Sequence, residues 1–314
     1  MASSLAQRRV LVTGGAGFIG SHVVDALLAR GCLVTVVDDL STGRAENLPP
    51  GVDLHRLDIA SADFLSLVRD RHPELVVHLA AQASVSRSVA DPIADATTNA
   101  LGTINLLRAC VQARVRKVVF TASGGTAYGE TKEPATEDLP LLPISPYGIT
   151  KLAGELYLRH FQAEHGLSYV SLRLANIYGP RQDPAGEAGV VAIFSHRMLT
   201  GQQPVIFGDG RCVRDYVYVA DVVEAVMVSV GHAGHGSYNI GTGRGTTVNE
   251  LYSALARLCN FDRPATYGPP RPGDLRYSVL DPSRSERELG WSSRFSLEEG
   301  LAQTVAAFRA DRGE

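Results

Sequence analysis

The chain has 314 residues, 45% of them hydrophobic, which suits one large or two medium domains with a sizeable buried core. Its formal charge of -3, with acids and bases interspersed along the whole length, argues against nucleic acid or an anionic membrane as the partner. Small molecules are left as the expected ligands. Four cysteines, Cys32, Cys110, Cys212 and Cys259, lie far apart without a C-x-x-C pair, and no run of 18 apolar residues occurs. Neither a disulfide framework, a zinc site nor a membrane span is indicated, and a cytoplasmic protein is expected.

In chain order, Arg9-Val10-Leu11-Val12-Thr13 reads as a short buried strand, followed by a glycine cluster and a helical pattern over 18–29. Further strands are expected over 33–37, 75–79, 118–120 and 169–174, separated by segments of helical periodicity. Strands alternating with helices predict an α/β fold: a doubly wound, Rossmann-type parallel sheet covered on both faces. After Asn176 the rhythm breaks into Gly- and Pro-rich stretches, returns over 216–230 and 237–240, then leaves again. Two discontinuous lobes are expected, 1–176 plus 213–243 for the cofactor and a smaller, largely C-terminal substrate lobe of 177–212 plus 244–314, with the ligand in the cleft between them.

Thr13-Gly14-Gly15-Ala16-Gly17-Phe18-Ile19-Gly20 carries G-x-x-G-x-x-G between strand and helix. Such glycines permit a tight turn and the approach of backbone N–H groups to a pyrophosphate, whose charge the helix N-terminus attracts. Asp38 ends the second strand 18 residues beyond Gly20, where a carboxylate accepts hydrogen bonds from the adenosine ribose and repels a 2'-phosphate. NAD is therefore expected rather than NADP, with Arg44 the residue nearby that speaks for the phosphate. Asp39, Asp58 and Ile59, together with Leu79, Ala80 and Ala81 at a strand end, are assigned to the same site. Asp58 could alternatively cap the helix beginning near Ser61.

The chain holds only three lysines, and one of them, Lys151, stands four residues after Tyr147 in Ser145-Pro146-Tyr147-Gly148-Ile149-Thr150-Lys151. Positions i and i+4 share a helix face, so the ammonium is expected to stabilise the phenolate and bring the tyrosine pKa from about 10 toward neutrality, where it can act as a base. Ser145 and Pro146 form a plausible helix start. A third hydroxyl is expected from Phe120-Thr121-Ala122-Ser123-Gly124-Gly125-Thr126, with Ser123 the first candidate and Thr126 the second. Nine histidines offer no metal spacing. His78 reads as a core residue, and His232 and His235 as solvated loop residues.

With TGGAGFIG, ASGGTAYG and SPYGITK in this order, the chain resembles the extended short-chain dehydrogenase/reductases, and within them the UDP-glucose 4-epimerases. RLANIYGPRQDPAGEAGVVAIF, FGDGRCVRDYVYVADV, NIGTG and PPRPGDLRYSVLDPSR extend the likeness over nearly the full length. The resemblance implies that Tyr147 takes the proton of the sugar 4-hydroxyl while a hydride leaves C4 for tightly bound NAD. The 4-keto sugar then turns over and receives the hydride on its other face. It implies that Lys151 also holds the nicotinamide ribose and that Asn99 lies near the cofactor. Asn176, Val190 and Val191 would contact the substrate, Arg214 and Arg271 its pyrophosphate, Asp274 the uridine ribose and Phe207 the uracil. Ser278 matches a gatekeeper beside the sugar 2-substituent, and its small size leaves room for an N-acetyl group, so UDP-GlcNAc is an expected further substrate. One departure is an extra glycine: counting back from Tyr128-Gly129 puts Gly124 at the catalytic hydroxyl, whereas counting forward from Phe120 puts Ser123 there. Dehydratases and decarboxylases of this superfamily place acids after that hydroxyl, where this chain has glycines. Epimerisation of another nucleotide sugar, such as UDP-glucuronate, stays open, and a nucleotide-sensing module is the remote alternative. Apolar stripes over 97–113 and 146–165 imply a homodimer paired through helices.

Overall fold

The computed structural model describes residues 5–185, 189–271 and 273–313. Seven parallel strands form the central sheet, in the order Gly236–Ile240, Ser168–Leu174, Lys117–Ser123, Leu75–His78, Arg9–Thr13, Leu33–Asp38 and Asp53–Arg56. The apolar runs of these strands fit a sheet buried on both sides. One core packs Val10, Val12, Val36, Val77 and Val119 with the helices Phe18–Ala29 and Val219–Gly231. The other packs Leu11, Val37, Val76, Val118 and Phe120 with residues of Ala62–Arg71, Gly102–Gln112 and Pro146–His165. The five inner strands send side chains into both cores, whereas the two edge strands contribute only to the first.

The chain builds outward from Arg9–Thr13 in one direction, then crosses to its other side at Leu75–His78. Such a reversal opens a crevice beyond the carboxyl ends of the two central strands, and ligands of doubly wound sheets lie there. A third core gathers Tyr178, Phe194, Ile206, Leu251, Leu255 and Leu301, and is flanked by short strand pairs. Among them, Asn176–Tyr178 pairs with Tyr216–Tyr218, and Val213–Arg214 lies between Thr246–Thr247 and Tyr277–Ser278. Among the described residues no helix is long and apolar enough to cross a membrane.

The helix starts where Ser145 and Pro146 predict: the Ser145 side chain accepts from Gly148 N, Pro146 occupies the first turn, and Gly166 ends the helix with φ +68°. The stretch over 97–113 is less regular than its periodicity suggests. It opens as a π-turn over Thr97–Leu101 and becomes α-helical only at Gly102. A wide turn of this kind re-aims side chains locally, here Asn99.

His78 is the core residue its position predicts. It is buried between Thr13 Oγ1 at 2.7 Å and Thr103 Oγ1 at 3.1 Å, and burial, with Lys151 nearby, pulls its pKa down to about 3. The unfolded chain takes up this proton near 6.5 and the folded chain only near 3, so the imidazole lowers stability as pH falls through that interval. The His78→Asn variant removes the titration. Between neutral pH and about 4.5, urea unfolding should therefore cost the wild type roughly 2–3 kcal/mol more stability than the variant, and parallel losses in the two proteins would refute this.

Candidate active site

The glycine loop sits at the crevice. Gly14 has φ +69°, and a Cβ placed on it would lie 2.6 Å from Ala80 N and 2.8 Å from Leu79 C, so the loop and the 79–81 segment close on each other only without a side chain. On Gly20 a Cβ would lie 2.0 Å from Gly14 O, which fixes the close helix-to-strand packing. Gly17 caps the helix that Phe18 and Ile19 begin, and both of those side chains also lean on the third core. Leu79 N donates to Thr13 O at 3.0 Å and Ala80 N to Thr13 Oγ1 at 3.4 Å, which leaves Ala81 on the same short segment leading to Gln82.

Asp38 is buried at the end of its strand. Its carboxylate accepts from Ala16 N and Leu40 N, each at 2.9 Å, while burial pushes its pKa up. It thus shapes the glycine loop itself, and a carboxylate with about four acceptor positions keeps capacity for ribose hydroxyls. Asp39 accepts from Ser41 N and the Ser41 hydroxyl. Arg44 is turned toward Asp183, 2.9 Å away. Ser61 caps the helix Ala62–Arg71, and Asp58 instead accepts from Ala60 N. The Ile59 side chain is buried against Gly102, with its carbonyl taken by Asn105.

Tyr147 and Lys151 share a helix face and turn toward the end of the strand carrying Ser123. Ser123 lies close enough to the Tyr147 phenol to lower its pKa, whereas Thr126 Oγ1 is buried without a hydrogen-bond partner among the described residues. The geometry therefore separates the two hydroxyl candidates. The acidified phenol is not met by protein groups alone: burial pushes Tyr147 up to about 12, outweighing the lowering by Ser123, and Asp95 pushes the same way as burial. Lys151, four residues on, is not among the groups that lower it, and burial disfavours the ammonium's own charge. Burial draws the Lys151 pKa down to about 8 against the pull of Asp95 and Glu155. Its ammonium lies 4.7 Å from the Phe120 ring centroid, and among the described residues it has neither a hydrogen bond nor an ion pair.

Asn176, Gly125 and Ser278 converge beside this pair. A Cβ on Gly125 would lie 3.8 Å from Asn176 Oδ1 and 3.9 Å from Ser278 Oγ, so the extra glycine leaves the space between them open. Farther out, Arg271 lies over the exposed Phe207 ring, 4.2 Å from its centroid, and Arg214 pairs with Asp274. Val190 opens the helix Val190–Leu199, and Val191 is buried in the third core, so its side chain does not face the site. Residues 186–188, within the stretch before them, lie outside the described residues.

Sequence reading missed what holds this floor. Buried Asp95 accepts from Gln82 Nε2 at 2.8 Å, Asn99 Nδ2 at 3.0 Å and Thr150 Oγ1 at 2.7 Å. Asn99 also accepts from Gln82 N at 2.9 Å and donates to Gln82 O at 2.9 Å, so its amide fastens the loop after the fourth strand. The i, i+4 spacing of Asp95 and Asn99 was the available signal, but the contacts to residues 82 and 150 carry no mark in sequence.

The model of the NAD dependent epimerase/dehydratase family matches residues 10–241. The chain belongs to that family. A curated UDP-glucose 4-epimerase of Mycolicibacterium smegmatis is 49% identical over 308 residues, 96% of this chain and 98% of that protein. The crystal structure of a UDP-glucose 4-epimerase from Thermotoga maritima with UDP-glucose has 50% identity and a TM-score of 0.95, covering 97% of this chain and 99% of that one. A UDP-N-acetylglucosamine 4-epimerase from Methanobrevibacter ruminantium, in complex with UDP-N-acetylmuramic acid, has 37% identity and a TM-score of 0.93, covering 98% and 99%.

Two features fit the NAD of this family. Gly14 and Gly20 have no room for a Cβ, which keeps the loop tight where a pyrophosphate must approach backbone N–H groups, and a buried ammonium with no hydrogen bond or ion pair among the described residues suits ribose hydroxyls. A buried charge left unpaired destabilises the protein that carries it. The Lys151→Met variant, stripped of cofactor, should therefore melt higher than stripped wild type, by several degrees. It should also retain less dinucleotide through purification, read as bound NAD per chain. A lower melting temperature with full NAD retention would contradict this assignment.

Proposed function

We propose that the protein interconverts UDP-glucose and UDP-galactose by 4-epimerisation with NAD, in the cleft between a cofactor lobe of 1–176 plus 213–243 and a substrate lobe of 177–212 plus 244–314. The observation that carries this reading is the closeness of Ser123 to the Tyr147 phenol, one helical turn from a Lys151 ammonium that has no hydrogen bond or ion pair among the described residues.

NAD, when bound, supplies the hydride acceptor and donor together with the positive charge of its oxidised ring. Lys151 holds the adjoining ribose and favours phenolate. Tyr147 Oη takes the proton of the sugar 4-hydroxyl, and Ser123 bridges phenol and sugar oxygen. After the 4-keto sugar has turned over, Tyr147 returns the proton to the oxygen on the inverted centre. Arg214 and Arg271 direct guanidinium donors at the diphosphate, Asp274 lies by the uridine ribose, and Phe207 offers its exposed ring to the uracil. Asn176 and Ser278 bound the sugar.

Dehydration is disfavoured because glycines stand where the dehydratases carry acids. A Cβ on Gly124 would lie 2.4 Å from Leu280 Cδ1 and 3.1 Å from Arg173 O, so a larger residue directly after Ser123 would require Leu280 to move. Small Ser278 in a wall opened by Gly125 supports the further acceptance of UDP-GlcNAc. Incubation with a panel of UDP-sugars without added NAD, followed by chromatography, tests this. UDP-glucose should give UDP-galactose, and UDP-GlcNAc should give UDP-GalNAc. Tyr147→Phe should lower kcat by a thousandfold or so with an unchanged fold. Ser278→Tyr should abolish UDP-GlcNAc turnover and spare UDP-glucose. Full activity of Tyr147→Phe, or turnover of UDP-glucuronate alone, would overturn the reading.

We also infer a homodimer. The helices Val85–Ala90 and Pro92–Ala96 pack along Pro146–His165, and Val89, Ile93, Ile149 and Leu156 of these helices are exposed. Light scattering should give twice the 33.6 kDa chain mass, and Ile149→Glu with Leu156→Glu should halve it. A wild-type monomer would reject the assignment.

A further inference from the structure

Glu155 stands four residues beyond Lys151 and eight beyond Tyr147, so it continues the same helix face, yet it lies inside the protein. Its carboxylate accepts from Ser171 Oγ at 2.6 Å, and Arg173 Nε reaches both oxygens at 3.1 Å while its terminal nitrogen pairs at 3.0 Å. The side chains of the pair are only 6% and 7% exposed. Arg173 lies on the strand next to the one that ends in Ser123, in register with Ala122. Its other terminal nitrogen donates to Tyr128 Oη at 2.8 Å, and that hydroxyl donates onward to Asn239 Oδ1 at 2.7 Å. Tyr128 closes the single helical turn that begins after Ser123. A continuous run of charge and hydrogen bonds thus joins the helix bearing Tyr147 to the turn bearing Ser123.

Stability alone does not explain such a pair. Removing two charges from water costs about what their attraction returns, and apolar side chains of equal volume commonly hold two elements together as well or better. What apolar side chains lack is direction. A guanidinium fork bonded to a carboxylate on one side and a phenol on the other fixes distance and rotation together.

We propose that Glu155 and Arg173 are positioning residues, which set the Tyr147 helix at the distance and rotation where Ser123 and Tyr147 meet. The inference rests on the proposed roles of those two hydroxyls.

The test removes both charges at once, as Glu155→Met with Arg173→Met, so that neither is left buried alone. The holoenzyme should keep its melting temperature and its KM for UDP-glucose, while kcat falls roughly tenfold to a hundredfold. Its crystal structure should place Ser123 Oγ farther from Tyr147 Oη than in a crystal of the wild type. In a Ser123→Ala background the same changes should cost little more, because the contact they act through is already gone. Equal fold-losses in the two backgrounds, or an unmoved Ser123–Tyr147 contact in the crystal, would overturn the inference. If the double variant does not fold, Glu155→Gln goes through the same cycle and the same crystal comparison, with the same outcomes deciding. Wild-type protein inactive on every UDP-sugar would sink the functional reading alone, and the crystallographic distance would still decide the role of the pair.

Discussion

The site is organised around one electrostatic constraint, the ammonium of Lys151 held out of water. Burial draws its pKa down to about 8, the attractions of Asp95 and Glu155 keep it from falling further, and the Phe120 ring centroid lies 4.7 Å from the ammonium. Asp95 can act in this way only because Thr150, Asn99 and Gln82 satisfy its oxygens, which also ties the loop after the fourth strand to the Tyr147 helix. His78, on the same side of the sheet, stays neutral under burial and the Lys151 charge. A cation without a hydrogen bond among the described residues has hydroxyl groups as its natural partners.

The fold brings these groups together because parallel strands all end on one edge of the sheet. Thr13, Asp38, His78 and Ser123 each stand at or near such an end, and the reversal of strand order beside Arg9–Thr13 opens the crevice they surround. Asn176 enters from a strand outside the main sheet, and Ser278 from a segment more than 100 residues later that returns to pair beside Val213–Arg214. The cofactor side is therefore assembled from consecutive elements and the substrate side from distant ones.

That difference decides how much could be read from the sequence. The glycine loop, Asp38, the Tyr147–Lys151 spacing and the Ser145–Pro146 helix start are local patterns, and local geometry carries them into the structure. The π-turn at Thr97–Leu101 was hidden because its residues keep ordinary helical periodicity. The choice between Ser123 and Thr126 depended on how a turn with an extra glycine is wound, which spacing leaves ambiguous. The phenol pKa departs from what the spacing implies for a physical reason: neighbour spacing gives the sign of a Coulomb effect, whereas desolvation depends on the whole packed surround. Arg44, the one residue that speaks for a 2'-phosphate in sequence, is paired across 139 positions with Asp183.

Label retention during turnover tests the central claim most directly. If a hydride leaves C4 for cofactor held in the site and returns to the same carbon, UDP-glucose carrying deuterium at C4 and converted in ordinary water yields UDP-galactose that keeps the deuterium at C4. Loss of the label to solvent would mean that C4 exchanges a proton instead, and the account built on Tyr147, Ser123 and Lys151 around NAD would not stand.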